Sequence, residues 1–309
     1  MNDADPHASA RDRAPADDEA GRRAALSGDE RERREAALAL VDSATGGLAP
    51  ATVAALADCA REDDSPAVRQ FAVEALGEAG AGVDAIDAAL EDPEPWVRAE
   101  AVVAFSRAAP GRTDRLEAVL ADDGDGMVRR NALIALGKTG TADRETLVEH
   151  LKSDPHPAVR EYAAQFLPEA GDPGEHTEET VRLLAAVLAR EPNAFVRAKA
   201  AEGLGTLGTD RAVEALETQG LEDRSDDVQR TARHALAEAR GEDPADIDLP
   251  EPAAPGGGPG SRSERDGPGG PAGQGPETGF GPGPGAGPAG REGRGGRGDR
   301  PTEDRGEFR

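Results

Sequence analysis

The 309-residue chain has one cysteine, three lysines, one tryptophan, one tyrosine and six phenylalanines. A lone Cys59 rules out an intrachain disulfide, a thiol pair and a cysteine-rich zinc site. Lying in the apolar stretch Val53–Cys59, it reads as a small buried hydrophobe. No run approaches the roughly 18 apolar residues of a membrane-spanning helix. The N-terminal residues also lack the apolar core of a secretory signal. The expectation is a soluble, cytoplasmic protein with no membrane association. Basic residues are scarce, 36 Lys and Arg against 61 Asp and Glu, for a net charge of −25. General nucleic-acid binding needs a basic footprint, so none is expected of the body of the chain. Residues 14–240 show no period-two alternation of useful length, so no sheet is expected. No catalytic constellation of Ser, His and Asp, no phosphate loop and no dinucleotide fingerprint is found. No cofactor is expected, and catalytic and metal sites are left unassigned.

Composition divides the chain. Residues 241–309 hold 21 of the 39 Gly and 12 of the 24 Pro. They have too little bulky apolar surface to offset chain entropy, and are expected to be a disordered tail. Residues 1–15 are expected to be a flexible polar arm, which leaves 16–240 as the folded part.

That part is built on a repeat. An acidic residue is followed after six positions by Arg, then by Ala at three and six further positions, and usually by Leu. It runs Asp63…Arg69…Ala72…Ala75-Leu76, then Asp92…Arg98…Ala101…Ala104-Phe105, then Asp123…Arg129…Ala132…Ala135-Leu136. Asp154…Arg160…Ala163, Glu191…Arg197…Ala200 and Asp223…Gln229…Ala232…Ala235-Leu236 follow, and a degenerate copy leads at Arg33…Ala36…Ala39-Leu40. The Arg-to-Arg spacings are 36, 29, 31, 31, 37 and 32, the last ending on Gln229. A period in this range marks a solenoid, whose units each bury a face only against their neighbours.

Each unit reads as two short helices. Val before the Arg, the two Ala and the Leu fall on one stripe of a 3.6-residue helix, which becomes the second helix. Small Ala side chains there let neighbouring helices approach. Asp92-Pro93, Asp154-Pro155 and Ser65-Pro66 predict helix starts, with a capping side chain and a preset φ. Gly77, Gly137 and Gly205, just past the Leu position, predict helix stops. The first helices are predicted to be shorter, around 51–56, 83–90, 116–120, 145–151, 181–188 and 212–216. The aromatics of the repeats are Phe71, Trp96, Phe105, Tyr162, Phe166 and Phe195; most fall at or near motif positions and read as core.

The recurring D-x₅-R-x₂-A-x₂-A-L signature resembles HEAT repeats of the short class named after phycobilisome lyases, over about residues 16–240. The resemblance implies an all-α fold: a right-handed α-solenoid of six to seven helix pairs, the second helices lining its concave side. It implies little about function, because the class includes lyases, hydroxylases and binding scaffolds. Deoxyhypusine hydroxylase, a di-iron branch, uses His-Glu dipeptides. This chain has only Glu149-His150 and Glu175-His176, in reverse order. A high acidic content with Lys nearly absent also resembles proteins of salt-loving archaea, whose hydrated acidic surfaces are screened by high salt.

Two sets of candidate residues follow. The acid and Arg series, Asp63, Arg69, Asp92, Arg98, Asp123, Arg129, Asp154, Arg160, Glu191 and Arg197, is expected to form a structural ladder between repeats. A planar guanidinium can bridge a carboxylate and helix carbonyls together. The concave surface is read from the positions one and five after each Arg: Gln70 and Glu74, Ala99 and Val103, Arg130 and Ile134, Glu161 and Gln165, Ala198 and Glu202, Arg230 and His234. The central units offer apolar Ala99, Val103 and Ile134 beside Arg130, and are expected to dock a partner protein. The expected function is thus a non-catalytic interaction scaffold. A lyase-like or hydroxylase-like enzyme or accessory factor is the alternative, and an adaptor in archaeal signalling or motility a further one. Residues 291–300 of the tail, Arg-Glu-Gly-Arg-Gly-Gly-Arg-Gly-Asp-Arg, leave open a contact with RNA there.

Overall fold

The computed structural model describes residues 18–171, 174 and 176–247. The flexible-arm and disordered-tail expectations therefore fall outside the described residues, apart from 241–247. The described chain is helical throughout, with no strand among the described residues. After α1 (Glu19–Ala25) come seven second helices: α2 (Glu30–Ser43), α4 (Pro66–Glu78), α6 (Pro95–Ala108), α8 (Gly126–Lys138), α10 (Pro157–Phe166), α12 (Ala194–Leu207) and α14 (Asp226–Arg240). Between them lie the first helices α3 (Pro50–Glu62), α5 (Val83–Ala89), α7 (Thr113–Asp122), α9 (Arg144–Ser153), α11 (Thr177–Arg190) and α13 (Asp210–Ala215). The fold is an all-α solenoid. First helices are not uniformly the shorter ones: α11 matches α12 at 14 residues, and α3 matches α4 at 13.

The motif stripe builds the core. Val68, Ala72, Ala75 and Leu76 of α4 are fully buried, as are Val97, Ala101, Ala104 and Phe105 of α6. Successive second helices pack on one another along the whole stack. Contacts between successive first helices, such as α1/α3, α3/α5 and α11/α13, are sparser. The second helices thus form the more closely packed layer of the stack.

Two local expectations are corrected. Gly77, Gly137 and Gly205 do not stop helices; each lies inside its second helix. They are small because the next second helix crosses there. An added Cβ on Gly77 would stand 2.6 Å from the Ala104 Cβ, and one on Gly205 2.7 Å from the Ala235 Cβ. The stops come three residues later, at left-handed Gly80 (φ 61°), Gly140 (φ 67°) and Gly208 (φ 58°). At the first two, the N–H of the next residue reaches back five positions, Ala81 to the Leu76 carbonyl and Thr141 to that of Leu136. The predicted starts also move. The prolines opening α6 and α10 are Pro95 and Pro157, not Pro93 and Pro155. Asp92 and Asp154 sit two residues before the cap and have a different task. At the C-terminal end, a 3₁₀ turn at Pro244–Asp246 follows α14 and buries Ile247 against the core, so packed chain continues past Arg240.

Candidate protein-interaction surface

The motif acids and arginines join each repeat to the next. Every guanidinium reaches forward to the acid of the following repeat with a two-bonded fork. Arg69 Nε and Nη2 donate to Asp92 at 2.6 and 2.9 Å. Arg98 grips Asp123 in the same way, Arg129 grips Asp154, Arg160 grips Glu191 and Arg197 grips Asp223. The degenerate leading copy joins in, through Arg33 and Asp63. The third contact runs backward within the repeat. Nη1 donates to the main-chain carbonyl of the repeat's own acid, as from Arg98 to Asp92 at 2.8 Å and from Arg129 to Asp123 at 2.8 Å. Each acid also accepts the N–H of the residue two positions on, as Asp123 does from Asp125. Four or more partners thus converge on each inter-repeat turn, which explains why the acid precedes the helix instead of capping it.

Electrostatics agree with this geometry. Burial by itself pushes the Asp123 carboxyl up, but the Arg98 fork and the Asp125 N–H together hold it below the usual carboxylate range. Asp63, Asp154 and Glu191 are held down by the same opposition. The Arg69, Arg98, Arg129 and Arg197 guanidiniums are pushed up, first by the hydrogen bond to the following acid. At the end of the stack Gln229 keeps only the backward contact, Nε2 to the Asp223 carbonyl. The ladder is internally satisfied and leaves little capacity for a ligand.

The residues one and five after each Arg lie on the second helices. Ala99 and Val103 of α6 and Arg130 and Ile134 of α8 are all half-buried. Ala99 and Arg130 are tied together through Asn131. Its Nδ2 donates to the Ala99 carbonyl at 2.9 Å, and its Oδ1 accepts from Arg130 Nη2 at 2.8 Å. Arg130 thereby hydrogen-bonds an amide, and makes no ion pair among the described residues.

Reading the sequence missed two members of this surface. Trp96 is 54 % exposed and Met127 42 % exposed, each two residues before its Arg. Phe195 holds the same register on α12 and is 69 % exposed. The expectation that Trp96 and Phe195 are core is therefore wrong. They sit in the first turn of their helices, beyond the crossing that buries Val97 and Val196. The signal was present: positions two before, one after and five after the Arg are spaced i, i+3, i+7 and form one helical stripe. On α6 that stripe is Trp96, Ala99, Val103, and on α8 it is Met127, Arg130, Ile134.

The sequence pattern of the family HEAT repeats matches residues 52–137, 82–165 and 144–237, well over half of the chain. The chain is a HEAT-repeat protein. Its fold has counterparts among solved structures. The Escherichia coli protein YibA shares 20 % identity at a TM-score of 0.53, over 71 % of this chain and 80 % of that one. The complex of CpcE and CpcF of phycocyanin lyase from a Nostoc species shares 22 % identity at a TM-score of 0.41, over 76 % and 92 %. Human deoxyhypusine hydroxylase in complex with glycerol shares 23 % identity at a TM-score of 0.35, over 72 % and 85 %. These likenesses concern the HEAT-repeat fold alone. No curated protein matches the chain.

The repeats also locate the other chemistry-bearing groups. Among the described residues, no group of three or more His, Cys, Asp and Glu is placed to hold a metal ion. His150 Nδ1 lies 3.2 Å from the Asp154 carboxylate and belongs to the ladder, while His156 caps α10 through its main chain. Cys59 is half-buried against the core, and burial pushes its thiol up, away from the reactive thiolate. No helix among the described residues is long and apolar enough to cross a membrane.

Proposed function

We propose that this HEAT-repeat protein is a non-catalytic scaffold that receives a partner protein on the concave wall of α6 and α8. The observation that carries this reading is the joined stripe of Trp96, Ala99 and Val103 with Met127, Arg130 and Ile134. Large apolar side chains stand in solvent there, on a chain whose surface is otherwise dominated by acidic groups. Aromatic and Met side chains supply contact area, and a cation free of a carboxylate supplies orientation. The Arg ladder supports the surface by fixing each repeat on the next, so the stripes on successive helices are pre-organised and little ordering is lost on binding. Residues 16–247 act as the binding body, and the Gly- and Pro-rich remainder as a spacer.

Photo-crosslinking in the native host tests this. A crosslinking amino acid at Val103 or Ile134 should trap a discrete protein adduct, and one at exposed Glu117 on α7 should not. Val103→Asp with Ile134→Asp should abolish the adduct formed from a crosslinker at Met127, while a chain ending at residue 247 should retain it. An adduct that survives the double substitution in a folded protein, but is lost with residues 248–309, would transfer the binding function to the tail.

A further inference from the structure

Granted the docking face over α6 and α8, on which this inference rests, its two borders carry opposite charge. On the α4 side stand Glu74 and Glu100. Both are half-buried, and neither makes an ion pair among the described residues; the nearby Arg107 is engaged with Glu78. Burial pushes the Glu100 carboxyl up, Glu74 and Glu78 push it further, and Arg107 and Gln70 offset this only in part. Glu74 is pushed up by burial and then by Glu78. Position matters as much as charge. Glu100 lies two residues after its Arg, where the next repeat has Asn131. Asn131 donates back to the preceding second helix at the Ala99 carbonyl. An ionised carboxylate has no proton to donate, so Glu100 cannot donate to an α4 carbonyl as Asn131 does to Ala99; it accepts from the Gln70 side chain of α4 instead. It stands as an acceptor without a cation. On the α8 side stands Arg130, a cation without a carboxylate, held in place by Asn131. Between the borders lie Trp96, Val103, Met127 and Ile134.

A second copy of the chain does not fit this face. Two concave walls cannot meet along their lengths, and association would bring two chains of charge −25 together. Nucleic acid and anionic membrane are disfavoured by the carboxylate border. A narrow, extended occupant fits the curvature. From α4 to α8 is two helix spacings, about 20 Å at roughly 8–10 Å each. Extended chain covers that in about six residues at 3.3–3.6 Å per residue.

We infer that the face takes an extended peptide segment of a partner protein, ordered as Lys or Arg, then three or four bulky apolar residues, then Asp or Glu. The basic group sits between Glu74 and Glu100, the apolar residues lie against Trp96, Val103, Met127 and Ile134, and the acid meets Arg130. The cation relieves the repulsion between two carboxylates that destabilise the free protein.

The experiment is selection of a random twelve-residue peptide display library on the full chain, followed by titration of synthesised winners. Trp96 is the single tryptophan, so its fluorescence reports directly on the face. The expected result is enrichment of the basic–apolar–acidic order, with a blue-shifted Trp96 emission on binding. Glu100→Gln should weaken binding at least tenfold while raising the melting temperature of the free protein, which separates lost recognition from lost folding. Arg130→Glu should switch the preferred acidic end to a basic one. Failure to enrich any sequence, or enrichment of apolar peptides without a basic residue, overturns the inference. So does binding indifferent to Glu100→Gln. Winners that bind equally well to the Val103→Asp, Ile134→Asp protein refute the docking face itself.

Discussion

Replacing Arg129 by Ala tests the division between ladder and binding surface. Arg129 and Asp154 are 8 % and 6 % exposed, and their fork consists of bonds of 2.9 and 2.8 Å. The substitution removes both bonds and the third to the Asp123 carbonyl. It leaves the Asp154 carboxylate inside the turn with the His156 N–H and the His150 ring as its remaining partners. Breaking one side of a buried pair costs about 3–5 kcal/mol, since the surviving charge stays desolvated. The more open Arg33–Asp63 pair, whose Arg side chain is 23 % exposed, provides the internal control. Arg33→Ala should cost clearly less, as solvent takes over part of the lost contact. Urea unfolding followed by circular dichroism measures both. Repeat arrays can unfold in stages, so midpoints should be compared alongside fitted free energies. The deficit of Arg129→Ala should shrink below about pH 4, because without Arg129 the Asp154 carboxyl takes up a proton and ceases to be a buried charge. Arg129→Met with Asp154→Leu should recover much of the loss. An Arg129→Ala protein of unchanged stability that has lost its partner would refute the reasoning and make the arginine row the binding surface.

Two further outcomes follow from the same geometry. Asp63, Asp123, Asp154 and Glu191 have carboxyls held below their ordinary values, 3.8 for Asp and 4.5 for Glu, so their contribution is fully present above those values and is lost as pH falls through the lowered folded ones; acid titration by circular dichroism should show unfolding beginning below about pH 4, and a chain stable to pH 2 would contradict the ladder as a main source of stability. Gly205→Ala should destabilise by roughly 1–3 kcal/mol through overpacking against Ala235, whereas Gly46→Ala, where an added Cβ meets nothing within 4 Å, should change the melting temperature little; equal effects at the two sites would show that helix crossing does not set the identity of residue 205.

The repeat, its helical character and the aliphatic stripe of the core were legible in the sequence. All three are periodic properties: Val, Ala, Ala and Leu on one stripe must face inward whatever surrounds them. The pairing of acid and arginine was legible as a recurrent association, yet its direction was not. That Arg129 reaches forward to Asp154 and takes only the carbonyl of Asp123 depends on how one repeat is laid on the next. The same inter-repeat crossing decided the glycines. Gly77 and Gly80 are both plausible stops in a linear reading, and only the approach of Ala104 shows that the first is a packing site. It also decided the aromatics. Phe105 and Trp96 are equally apolar and nine residues apart on one helix, but the next second helix covers the first and leaves the second in solvent. Surface membership is a property of what lies alongside. For Trp96, Glu100 and Arg130 that neighbour is another repeat, roughly thirty residues away along the chain.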